Sequence, residues 1–134
     1  MTSDSAVRLA KDIASTTLAA SASDNDRLGR FSSEAIGAIG TSGLLAMMLP
    51  SNVGGAALGP RALADVVASL AESDASVAMV FLMHSLAALT IAAAKRTPAI
   101  ERVLGEIAGG RHLLTLAFSE AGSRSHFGRP SPGR

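Results

Sequence analysis

The sequence has no cysteine, no tryptophan and no tyrosine, and aromatic residues make up only 3% of its 134 positions. Without cysteine there can be no disulfide, no thiolate metal ligand and no thiol nucleophile, which fits a reducing compartment such as the cytoplasm. So few aromatics argue against a sheet protein, whose strands favour β-branched and aromatic side chains. Charge of one sign is also missing. Twelve Lys and Arg stand against 11 Asp and Glu, a formal net charge of +1, so nothing here attracts nucleic acid or an anionic lipid surface. The N-terminal stretch carries Asp4, Lys11 and Asp12 inside a periodic pattern, which excludes the unbroken apolar core of a signal peptide.

What remains is a diet for helices. Hydrophobic residues reach 48%, alanine is abundant, and alanine is the best helix former. The length suits one domain with a real core.

Helical spacing recurs along most of the chain. Val7, Ala10, Ala14 and Leu18 share a face, which predicts a helix over residues 4–21, followed by a polar break at Ser21–Asp26. A second helix is expected from Ser32, a good N-cap residue, with Glu34 in the positive first turn and Gly43 at its end. Leu44 to Pro50 is short and apolar. Pro50 biases Leu49 away from helix, so an extended entry into the Ser51–Gly55 loop is expected. A third helix starts at Pro60, where Leu63, Val66, Val67 and Leu70 keep the i, i+3, i+4, i+7 spacing. Glu72–Asp74 interrupts it. A fourth helix is expected over residues 75–96. A fifth starts at Thr97-Pro98, repeats the spacing with Ile100, Val103, Leu104 and Ile107, and stops at Gly109-Gly110. Leu113 to Phe118 then reads as a lone β-strand, which needs partners, because even an isolated hairpin is marginal in water.

The fourth helix contains SVAMVFLMHSLAALTIAAA, 19 residues without a formal charge. Its length would cross a bilayer. Its alanine content, its His84, Ser76, Ser85 and Thr90, and the amphipathic helices on either side favour a buried central helix instead, so no membrane span is expected.

Candidate chemistry is sparse. His84, His112 and His126 have no partners at metal-ligand spacing, so no metal site is expected. His84 reads as a hydrogen-bonded histidine inside a helix bundle or as a polar point lining a ligand cavity. Ser119 and Glu120 lack the G-x-S-x-G elbow of a hydrolase. Gly54-Gly55 and Gly109-Gly110 fit no phosphate loop and read as turns and helix stops. The small-residue loop after Phe118 presents backbone N–H groups and hydroxyls that could hold a polar edge or an anion.

Four stretches, in order, carry a family resemblance. They are Gly29-Arg30-Phe31 with Glu34-Ala35-Ile36; Ser42-Gly43-Leu44-Leu45 through Leu49-Pro50 to Gly54-Gly55; Asp74-Ala75-Ser76-Val77-Ala78; and Ala117-Phe118-Ser119-Glu120-Ala121-Gly122-Ser123-Arg124-Ser125. Together they resemble the N-terminal part of the flavin-dependent acyl-CoA dehydrogenases. The last stretch is similar to that family's TEPGAGSD flavin loop, with Ala121 in place of the usual Pro, Arg124 of Gly and His126 of Asp.

The resemblance implies an all-α fold over residues 1–112, an orthogonal bundle-like N-terminal helical domain. Residues 113–134 would be the start of a β middle domain whose further strands lie downstream. It implies FAD as cofactor, with Leu116, Phe118 and Ser119 meeting the isoalloxazine ring, where donors stabilise the charge of reduced flavin. It gives Ser125 to the flavin pyrophosphate region and the acyl-CoA ligand, and Met79, Leu82, Met83 and Leu86 to the acyl cavity. The implied reaction is α,β-dehydrogenation of an acyl-CoA thioester: a carboxylate takes the α-proton and flavin N5 the β-hydride. That carboxylate belongs to a C-terminal helical domain, so no catalytic residue is assigned here and the chain alone is expected to be inactive and to bind FAD poorly. An electron-transfer acceptor and homo-oligomeric assembly are implied for full-length relatives.

A flavin monooxygenase on the same fold and a non-enzymatic helical interaction module are the alternatives. Residues 128–134 do not resemble a middle domain. If Gly128-Arg129-Pro130-Ser131 is encoded GGG-CGC-CCG-TC, one restored T yields Trp-Ala-Pro-Val, as some relatives continue, so a frameshift or broken gene is expected.

Overall fold

Hydrophobic stripes on helices must be buried against one another, and here they meet around a central helix. The computed structural model describes residues 1–117. Among these, six α-helices appear in order: α1 (Ser3–Ile13), α2 (Ala19–Leu28), α3 (Ser33–Thr41), α4 (Pro60–Ala71), α5 (Ala75–Ala93) and α6 (Pro98–Ala108). The all-α fold expected from the sequence is what forms. Helix α5 is packed by α3, α4, α6 and the Leu44–Ala46 turn, while α1 lies on α4. The core holds Leu18, Ile39, Leu44, Met47, Leu49, Val66, Leu70, Phe81, Leu104 and Ile107, all essentially out of water.

Helix starts follow local chemistry. The Asp74 carboxylate caps α5 by accepting from the Ser76 and Val77 amides at 2.9 and 3.0 Å. The Thr97 hydroxyl accepts from the Ile100 amide at the start of α6. Pro60 and Pro98 occupy first-turn positions, where the missing N–H costs nothing. Thr2 and Ser5 form a reciprocal capping box on α1. Ser32 does sit at the N-cap of α3, but its side chain makes no capping bond.

Three expectations are corrected. The polar break at Ser21–Asp26 does not occur: α1 runs through a π turn, Ala14–Leu18, straight into α2, which buries no side chain at all. Extending an existing helix costs far less than nucleating one, so these polar residues mark exposure rather than a stop. The core stripe Ala6, Ala10, Ala14, Leu18 repeats every four residues and would drift around a 3.6-residue helix. The wider π turn takes up that drift, helped by the Ser15 and Thr16 hydroxyls, which both donate to the Asp12 carbonyl. The Leu44–Pro50 stretch is not extended at its start. Gly43 turns at φ +82° into a 3₁₀ turn, Leu44–Ala46, and the whole stretch apart from Met48 and Pro50 is buried. Helix α5 ends at Ala93 rather than near Arg96, because Ala94 already turns to extended backbone at ψ 161°, three residues before the extended Thr97 that precedes Pro98. Residues 113–117 alternate exposed and half-buried side chains as a strand would, and no strand partner lies among the described residues. Phe118 lies outside them.

The expected apolar core helix is α5. An 18-residue window of it has a mean hydropathy of 1.9 with 39% of it buried, so length and composition alone would pass for a span. Its placement between helices supplies the apolar environment that such a sequence requires.

Candidate functional site

Helix α5 has two faces. Val77, Ala78, Phe81, His84, Ser85 and Ala88 point into the core. Met79, Leu82, Met83 and Leu86 share the other side at helical spacing. Met79 is 56% and Leu86 40% exposed, while Leu82 and Met83 are half-buried. The structure thus gathers the four sequence-predicted pocket residues on one apolar stripe facing out of the bundle.

The second candidate element is the segment after α6. A Schellman stop ends that helix: the Arg111 amide donates to the Glu106 carbonyl and the Gly110 amide to that of Ile107, both at 2.9 Å. Gly110 takes φ +71°. It lies so close to the α3 backbone that a Cβ there would collide with the Gly40 carbonyl, and a Cβ on Gly40 would come within 2.6 Å of the Gly110 oxygen. Two glycines therefore let the chain cross α3 at backbone contact. The Arg111 guanidinium reaches back to both oxygens of Glu106, at 2.7 and 3.2 Å, and this holds that exposed carboxyl below its usual range.

From this crossing, residues 111–117 run to α5 and dock on its histidine. The Leu114 amide donates to His84 Nδ1 at 3.0 Å, and the Leu114 side chain packs on the core. His84 Nε2 lies 3.0 Å from the Leu45 carbonyl. An amide can only donate, so Nδ1 accepts; the ring proton sits on Nε2 and is given to Leu45. Burial, with the His112 charge acting in the same direction, pushes the His84 pKa below 6.5 against the opposing carbonyl bond, so the ring is neutral. Of its two sequence readings, the hydrogen-bonded core histidine is the one the structure bears out.

Leu45 is in place to receive this bond because of the glycines around it. Gly43 and Gly54 both have positive φ, and a Cβ at Gly55 would collide with the Leu49 carbonyl. The chain folds back there through Ala57 N–H to Leu49 and Leu58 N–H to Met47, both 2.9 Å. The Gly43…Gly55 passage is a turn device, as its residues suggest, and it presents a carbonyl to His84. The sequence singled out the histidine; its partners, Leu45 and Leu114, act through backbone atoms and left no side-chain signal.

Leu116 is half-buried on the same side of the segment as Leu114. Phe118, Ser119 and Ser125, the other flavin-loop candidates, lie outside the described residues. Among the described residues the amides of Leu113, Thr115, Leu116 and Ala117 have no hydrogen-bond partner, and no three His, Asp or Glu side chains converge as metal ligands. A cavity of about 250 Å³ opens between the end of α2, Phe31, Ile36 and the start of α5. None of the candidate residues lines it, and the Asp74 carboxylate in its wall is already engaged in capping α5.

A six-helix domain whose exit segment docks on the buried histidine of its central helix is the architecture described. The family model "Acyl-CoA dehydrogenase, N-terminal domain" matches residues 3–111. The chain belongs to the acyl-CoA dehydrogenase family. No curated protein matches it.

Proposed function

We propose that this chain is the helical portion of an FAD-dependent acyl-CoA dehydrogenase that introduces an α,β double bond into an acyl-CoA thioester. The observation that supports this reading is the family match across nearly all of the described residues.

The described residues suit a flavin and an acyl chain. The outward face of α5 offers Met79, Leu82, Met83 and Leu86 as an apolar wall, and residues 113–117 offer backbone amides that have no partner among the described residues. That pairing of apolar surface with a few polar points is what a flat heteroaromatic ring or a thioester tail requires. FAD, when bound, supplies hydride acceptance. The chain's own share is to hold and to exclude water. Leu116, Phe118 and Ser119 would hold the ring through backbone and hydroxyl groups. Ser125 would contact the flavin pyrophosphate region and the acyl-CoA. The α5 stripe would keep water from the acyl chain.

None of the 134 residues is assigned as the base that removes the α-proton. The chain by itself is therefore expected to be inactive and to bind FAD weakly. Two measurements test this reading. The DNA beyond codon 134 should hold, in a second frame, barrel strands and a helical bundle carrying a Glu base; barrel strands without that carboxylate favour a same-fold monooxygenase, and no such frame sinks the proposal. The purified chain should be colourless and should not reduce a dye when supplied with acyl-CoAs.

A further inference from the structure

His84 is fully buried, yet both ring nitrogens are used, and they join three separate parts of the chain. It stands on the central helix α5. It donates a hydrogen bond to the Leu45 carbonyl, 39 residues earlier in sequence, and accepts one from the Leu114 amide, 30 residues later. No other described side chain hydrogen-bonds residues 113–117. We propose that His84 is the positioning residue for the chain's departure from the helical domain: its neutral Nε2–H form clamps the Leu114 amide, and protonation of the ring releases residues 113–117.

The chemistry leaves little choice. A proton added at Nδ1 would face the Leu114 N–H, turning an acceptor into a second donor, and the bond cannot survive. Among the described residues no carboxylate acts on the ring to offset the new charge. His112, on the departing segment, is the one titratable group among the described residues acting on the ring, and a charge there opposes protonation. On the elements packed around α5, Glu34 of α3, Arg61 and Asp65 of α4 and Glu101 and Arg102 of α6 are all exposed. Glu106 is engaged by Arg111, and Leu44–Ala46 carries no charge. The clamp sets the register of the segment. Side chains alternate along an extended chain, so fixing Leu114 toward the bundle also fixes which side Leu116 takes. That last consequence for flavin contact rests on the dehydrogenase reading, while the clamp itself does not.

Two substitutions split the clamp. The amide nitrogen of Gln stands near the place of Nε2 and can still donate to Leu45. The side-chain oxygen of Asn stands near the place of Nδ1 and can still accept from Leu114. In the full 134-residue chain labelled with ¹⁵N, the Leu114 amide should exchange roughly tenfold faster in H84Q than in wild type and stay within about threefold of it in H84N, since a net hydrogen bond is worth about one factor of ten. Ring ¹⁵N shifts should report Nε2–H at neutral pH. Equal Leu114 protection in H84Q and wild type, or a proton on Nδ1, overturns the proposal. Should a variant fail to fold, wild type alone decides. The Leu114 protection factor, exchange corrected for its intrinsic pH dependence, must fall as His84 becomes protonated; protection that stays constant through the titration of His84 refutes the clamp. These readouts need no flavin, so they stand apart from the downstream sequence that tests the dehydrogenase reading.

Discussion

Two helices in this domain stop in the same way and for different reasons. Helix α2 ends at Gly29 and α6 at Gly110, each with positive φ, 59° and 71°, and each with the paired amide bonds of a Schellman turn. Around Gly29 a Cβ would meet nothing within 4 Å. Around Gly110 it would run into the backbone of Gly40. Local sequence writes the same signal twice. Only at the second stop does tertiary packing also depend on it, because there the turn is pressed against α3 and aims the exit segment at His84.

The sharpest test of this contrast is Gly110→Ala. Backbone strain and collision with Gly40 add, so a loss of about 3 kcal/mol or more is expected in urea melts. Gly40→Ala should cost about 2 kcal/mol, although alanine is ordinarily the better helix residue, because its Cβ meets the Gly110 carbonyl. Gly29→Ala carries the left-handed strain alone and should cost about 1–2 kcal/mol. Equal losses at Gly29 and Gly110 would mean that the crossing contributes nothing. Acid should weaken the bundle as well. Since the His84 pKa is lowered from 6.5, stability is fully present above about pH 6.5 and falls as pH drops toward the folded-state value, by at most about 1.4 kcal/mol per pH unit. Denaturant midpoints that stay flat through that window would contradict a neutral, buried ring. Gly37→Ala is the smallest change and runs the other way. It shares α3 with Gly40 but has open space around it, so a gain of about 0.5–1 kcal/mol in Tm-derived stability is expected.

Much of this fold is written locally. Leu63, Val66 and Leu70 show α4, and Leu104 and Ile107 show α6, because apolar spacing is a direct record of which side is buried. Asp74 and Thr97 mark helix starts by a bond made within three residues. The failures share a cause. Ser21–Asp26 is polar, and polarity reports contact with water, not backbone conformation, so an exposed helix looked like a break. Leu44–Leu49 turns because Gly55 and Leu58 fold back on it, a tertiary event with no local period. Of the candidate site, the Met79–Leu86 stripe is reached through the family resemblance alone, because α5 is apolar on both faces and spacing does not tell which one is exposed. The grip on the exit segment could not be read from spacing either, because two of its three members contribute only peptide groups, and every residue has those.

The π turn at Ala14–Leu18 bears on how such a domain can vary in length. It amounts to one residue inserted into an otherwise regular helix. On its N-terminal side, Ala6, Ala10 and Ile13 hold α1 in the bundle; on its C-terminal side, α2 commits no side chain to the core. Losing one residue here would return the turn to ordinary α geometry, but Ala14 and Leu18, the buried residues at its two ends, must keep their places in the core. A change of length at that point is therefore limited by Ala14 and Leu18, not by α2, and is tolerated only where Leu18 still reaches the core.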